Sequence, residues 1–239
     1  MGRKDLTAEL EVKLLQLTRQ NQRANLRELS QQLHTEEAIL AVKIASLRRK
    51  GLIASVRGIV ELDAGQRIRL AEQLILKGHD PYKVSRFLEW REFEDFAADS
   101  LELNGFRTVK HLIIKTKGGR REIDLLAWND TFALAIDCKH WLRGWSPSRL
   151  REAAKAQIER AVVMSERPDL IRKHGVEGVE KRNILPMIFA LGDPRERIVE
   201  GVPVVSVSRL ISFLYGASPV DERFRSIPVR QEFEQSLIG

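Results

Sequence analysis

The stretch from Arg121 to His140 constrains this chain more than any other. It reads Arg-Glu-Ile-Asp-Leu-Leu-Ala-Trp, a polar break at Asn129-Asp130-Thr131, then Phe-Ala-Leu-Ala-Ile-Asp-Cys-Lys-His. Both apolar runs have strand length, and Asn and Asp between them favour a turn, so the pattern predicts a β-hairpin. A two-residue turn at Asn129-Asp130 would set Asp124 opposite Ala135, with Asp137 its diagonal neighbour. One face then carries Ile123, Leu125, Ala127, Phe132, Leu134, Ile136 and Cys138. The other carries Glu122, Asp124, Leu126, Trp128, Ala133, Ala135, Asp137 and Lys139. A slip of one residue would mix the two sets, which disfavours it.

The charged face has a chemical reading. Two carboxylates at close range repel, and each resists ionisation unless a cation sits between them. Hard oxygen ligands suit Mg²⁺, which keeps several waters and works with phosphate. A lysine beside such an ion can orient a water or offset developing negative charge. A solvated sheet face with a Lys–Asp ion pair explains the same residues without chemistry.

Ile123-Asp124, a hairpin, then Asp137-Cys138-Lys139 resembles the PD-(D/E)xK nuclease superfamily. The acid-x-lysine triplet alone is uninformative, since Glu11-Val12-Lys13 matches it inside an amphipathic helical pattern. The strand context, the upstream acid and the shared face carry the resemblance. It covers about Trp90 to Tyr215, with Ile123 standing where many members have proline. Phe93-Glu94, an apolar helix and Asn104-Gly105-Phe106 are similar to the start of archaeal Holliday-junction resolvases and methyl-directed restriction endonucleases. The resemblance implies an α/β restriction-endonuclease-like mixed sheet flanked by helices. It also implies that Asp124, Asp137, the Cys138 carbonyl and Glu94 serve Mg²⁺, with Mn²⁺ an allowed substitute, and that Lys139 positions the attacking water. Gln157 or Lys155 would point into the site from the helix after the third strand. Each of these has a local explanation as well. Acids such as Glu92 and Glu94 favour a helix's first turn, and an exposed helix position accounts for Gln157 and Lys155.

Residues 1–62 resemble a separate N-terminal winged-helix domain. Thr7 to Arg19 predicts a first helix. Asn25 with Glu28 has the capping-box spacing for a second, and Thr35 caps a third that ends in Arg48-Arg49-Lys50-Gly51. Two short strands around Arg57-Gly58 form the wing. Helix-turn-helix logic makes the third helix the groove reader. Lys43, Arg48, Arg49 and Arg57 are candidate phosphate contacts, although winged helices also serve as protein-binding modules. Residues 63–89 read as a helical connector, 90–216 as the nuclease-like domain and 217–239 as a tail with a last helix at Arg230–Leu237. Lys115, Lys117, Arg120 and Arg121 lie close enough to the hairpin to track a nucleic-acid backbone. Trp141, Arg143 and Trp145 form either a stacking loop over substrate or packing under the next helix.

Lys and Arg outnumber Asp and Glu by 40 to 33, a net charge of +7. With a pI near 9.7 this favours a polyanionic partner. Cys138 is the single cysteine, so no internal disulfide forms. No signal peptide or long apolar span is visible, and a cytoplasmic protein with no membrane contact is expected. The expected function is metal-dependent endonucleolytic cleavage of duplex or branched DNA in repair, recombination or restriction, with a homodimer among the allowed assemblies. The alternative is a non-catalytic winged-helix DNA-binding regulator whose nuclease-like domain is degenerate.

Overall fold

The structure is a computed structural model that describes residues 5–116, 119–139, 146–179, 182–216 and 221–229. Among these, one compact unit runs from residue 5 to 96 and a second from residue 97 onward.

In the first unit, the Asp5 carboxylate accepts from Thr7 N (2.9 Å) and starts α1, Leu6–Asn21. Leu10, Leu14 and Leu15 are fully buried along it, at the spacing of one helical face. Short strand β1 (Arg23–Asn25) follows, and the Asn25 side chain caps α2 (Leu26–Leu33) through Arg27 N at 2.8 Å. Glu28 instead takes Gln32 Nε2 at 3.1 Å, one turn along. Helix α3 spans Glu37–Arg49. Its N-cap residue is Glu36 rather than Thr35, whose hydroxyl donates to the Leu33 carbonyl. Strands β2 (Ala54–Val56) and β3 (Ile59–Glu61) flank Arg57 and Gly58, at φ 48° and 79°. Such left-handed pairs match the twist of a tight hairpin. The sheet has three strands, not the expected two, in the order β1-β3-β2.

Helix α4 (Ala64–Leu76) opens with a full capping box between Asp63 and Gln66. Helices α5 (Pro81–Ser85) and α6 (Trp90–Glu102) follow. Arg67 on α4 is fully buried. Its guanidinium donates to Leu15 O (3.0 Å), Thr18 Oγ1 (2.6 Å), Glu92 Oε1 (2.6 Å) and the Phe87 carbonyl. One side chain thus joins α1, α4, the segment after α5 and the start of α6. Glu11, the decoy acid of the sequence, is buried against Lys77 (2.6 Å).

The second unit is built on one sheet. Strands β4 (Arg107–Thr116), β5 (Gly119–Trp128) and β6 (Ala133–Lys139) form an antiparallel meander. Helix α7 (Pro147–Glu166) then starts at a Ser146 cap, with Pro at its first position, and short α8 (Pro168–Arg172) follows. Strand β7 (Asn183–Ala190) lies parallel to β6. Strands β8 (Ile198–Val199) and β9 (Val202–Ser206), helix α9 (Leu210–Gly216) and strand β10 (Ile227–Pro228) complete it. The order is β4-β5-β6-β7-β9-β8, with β10 also on β7. Strands β6 and β7 are buried almost throughout, as strands covered on both faces must be.

The hairpin forms as expected, but its register differs. Leu126 pairs with Ala135 and Leu125 with Ile136, so Asp124 comes level with Asp137 rather than Ala135. The connection is longer than two residues. Asn129 Oδ1 accepts from Thr131 N (2.8 Å) and Phe132 N (3.1 Å), and Asn129 N donates to Phe132 O. This Asx turn draws Phe132 into the core, edge-on to Phe106. The change is two residues, so both faces keep the expected members.

Candidate active site

The site sits where the β5–β6 ladder ends. Past the Leu125–Ile136 pair, the Asp124 carboxylate accepts the Cys138 backbone N–H at 2.9 Å. Two acids therefore stand at one level on adjacent strands and on one face, since opposed residues share a face. Cys138 turns its thiol to the other side, where it is buried.

Asp137 is 2% exposed. A carboxylate this deep needs cations and donors to stay charged. Lys139, one pleat on, donates to Oδ1 at 2.9 Å, and Arg160 Nη1 on α7 reaches the same oxygen at 3.2 Å. Oδ2 lies 2.9 Å from the Lys139 nitrogen yet is buried with no hydrogen bond of its own. Gln157 is fully buried, not an exposed helix residue. Its amide donates to Ala135 O (2.7 Å), while its carbonyl accepts from Arg160 Nη1 (2.9 Å). Lys155, its alternative, is exposed. Sequence reasoning missed Arg160. Its signal was the position three residues beyond Gln157, which puts both side chains on one helix face.

Glu94 lies on α6 in the first unit. It is buried, and Oε1 accepts from the indole N–H of Trp90. Its neighbour Glu92 is occupied by Arg67 and by Glu89 N.

His111 lies at the same level of the sheet. On β4, Lys110 pairs with Leu125 and Leu112 with Ile123, which sets His111 across from Asp124. Its φ is 54°, a left-handed value that costs a non-glycine residue about 1 kcal/mol or more. Its ring lies 3.3 Å from Glu122 Oε1.

Among the described residues, no group of three or more His, Cys, Asp and Glu side chains is arranged around a metal position. The residues present still fit a hard divalent ion. Asp124 and Asp137 supply oxygen at one level, Asp137 Oδ2 is free of hydrogen bonds, and Mg²⁺ commonly takes only one or two carboxylates and keeps its waters.

The basic candidates fall into two groups. Lys115 and Arg120 face each other near the free end of β4 and β5, both exposed, and Arg121 pairs with Ile114. Arg120 also binds Glu122 (3.1 Å), and Lys117 lies outside the described residues. In the first unit Arg49 and Arg57 are exposed and Arg48 reaches Ser55 O (3.5 Å). Lys43 instead spends its ammonium on Thr7 Oγ1 at 2.8 Å, half-buried between helices. His140, Trp141, Arg143, Trp145 and the Arg230–Leu237 segment lie outside the described residues.

A mixed sheet with helices and two strand-borne acids followed by a lysine is compatible with the restriction-endonuclease-like fold. Residues 85–165 match the family model Mrr_cat, described as restriction endonuclease. That span includes Glu94, Asp124, Asp137, Lys139, Gln157 and Arg160, and it supports placement of this part of the chain with the PD-(D/E)xK nucleases. The match supports a nuclease function in general terms. A solved structure, protein VC1899 from Vibrio cholerae, is similar over 86% of this chain and 48% of that one, at 12% identity and a TM-score of 0.35. The chain thus spans about half the length of that structure. No curated protein matches. Among the described residues, no helix is long and apolar enough to cross a membrane.

Proposed function

We propose that this protein is a metal-dependent DNA endonuclease acting in repair, recombination or restriction, with an N-terminal winged-helix module that grips DNA. The observation that carries this reading is the buried Asp137, level with Asp124 and paired with Lys139 on one sheet face. Asp124, Asp137 and the Cys138 carbonyl would hold Mg²⁺ or Mn²⁺; a supporting role for Glu94 rests on the sequence resemblance alone. The ion, when bound, supplies positive charge to the scissile phosphate and acidifies water.

The chain's own groups do the rest. Lys139 orients a water toward phosphorus and offsets charge on the phosphate oxygens. The water oxygen forms a new bond to phosphorus as the bond to one sugar oxygen breaks. The water's proton passes to solvent, and the leaving oxygen takes one up. Lys115, Arg120 and Arg121 line the approach to that end of the hairpin, and Lys117 belongs with them by sequence. Arg48, Arg49 and Arg57 would contact phosphates from the first unit, and the exposed Val42 and Ile39 of α3 suit thymine methyl groups. Lys43 has a smaller part, being tied to Thr7.

The test is cleavage of labelled linear, flapped and four-way DNA with Mg²⁺ or Mn²⁺, comparing the wild type with Asp137→Ala and Lys139→Ala. Cutting by the wild type and loss in both variants is expected. DNA binding without cleavage would favour the non-catalytic regulator.

A further inference from the structure

We infer that Arg160 is an exchangeable guanidinium, which guards Asp137 in the ion-free protein and moves to the substrate phosphate once a divalent cation takes that carboxylate. The inference rests on the nuclease reading above and adds a residue that the acid-acid-lysine pattern does not contain.

Arg160 is held from two sides. Asp137 Oδ1 accepts Nη1 at 3.2 Å, and Gln157 Oε1 accepts the same nitrogen at 2.9 Å. The two anchors differ in kind. Gln157 is fully buried and fixed through its amide to the β6 backbone at Ala135. Asp137 is the group that a hard cation would claim; its other oxygen, 2.9 Å from the Lys139 nitrogen, lacks a hydrogen bond. A cation on Asp137 would repel the guanidinium and remove one anchor while leaving the other. The Arg160 side chain is 25% exposed, so its remaining N–H groups can reach a ligand at the surface without a change in the fold. A planar fork of donors matches a phosphate better than an ammonium does. The same arrangement explains how a buried carboxylate avoids an uncompensated charge before the ion arrives.

The experiment measures Mn²⁺ binding to the DNA-free full chain by paramagnetic resonance, together with DNA affinity in Ca²⁺. Arg160→Gln should bind Mn²⁺ about tenfold tighter than wild type, because one competing cation is gone, and should bind DNA about tenfold more weakly. Arg160→Lys keeps a charge but not the fork, so its Mn²⁺ affinity should stay near wild type while DNA binding falls. A merely structural arginine would not raise cation affinity when removed. Equal Mn²⁺ affinity in wild type and folded Arg160→Gln overturns the exchange alone. A wild type that takes up no Mn²⁺ overturns the nuclease reading and this inference with it.

Discussion

Asp193 accepts from the Ser206 hydroxyl and from Arg209 Nε at 2.9 Å. Burial pushes its carboxyl up, but the serine bond and the guanidinium together hold it below the ordinary carboxylate value. A depressed folded value means the charged form stabilises the fold above the unfolded carboxylate's range. That contribution disappears as pH falls through the folded value. The melting temperature of wild type should exceed that of Asp193→Asn at pH 6, and the gap should close below about pH 4. On the nuclease reading, Lys139→Met at the candidate site should cut cleavage by roughly 10²–10³-fold while leaving the circular dichroism spectrum intact. The place of Lys139 beside Asp137 on one face was legible from the strand pattern. Arg160 was not, because nothing in a helix's own pattern says which strand residue its surface will meet.

At the scale of elements, buried polar side chains lock pieces together. Arg67 joins four segments of the first unit with no exposed surface. Arg67→Met should cost about 3–5 kcal/mol in chemical denaturation, because Glu92 and two carbonyls lose their buried partner. In the second unit, Gln157→Leu should cost about 1–3 kcal/mol, since the Ala135 carbonyl is left without its donor. It should also loosen Arg160, so its cleavage defect should exceed its stability defect. Apolar spacing located these helices, although Glu36 rather than Thr35 precedes α3 and the Asp63–Gln66 box of α4 had not been expected. Within the helical connector read over residues 63–89 nothing marked Arg67, since burial of a charged side chain depends on partners 49 and 52 residues away.

For the whole molecule, the net charge of +7 favours a polyanionic partner, and on the DNA-binding reading the salt dependence counts the phosphates that Lys and Arg neutralise. Each phosphate neutralised by Lys or Arg adds about 0.9 to the slope of log affinity against log salt. Arg48→Ala with Arg49→Ala should therefore lower that slope by about 2, measured by anisotropy on duplex DNA between low and physiological salt. An unchanged slope would remove α3 from the DNA interface and leave its exposed Val42 and Ile39 for a protein partner.

Sequence by itself determined which residues share each face of the hairpin. Side chains alternate with a period of two, and a one-residue slip would put Asp124 and Asp137 on opposite faces. Tertiary structure decided between registers of equal parity. The Asn129 turn and the burial of Phe132 moved the pairing by two residues and set Asp124 level with Asp137. Only the packing of α7 on β6 could bring Arg160 to the Asp137 carboxylate and Gln157 to the Ala135 carbonyl, because long-range contacts leave no trace in local periodicity.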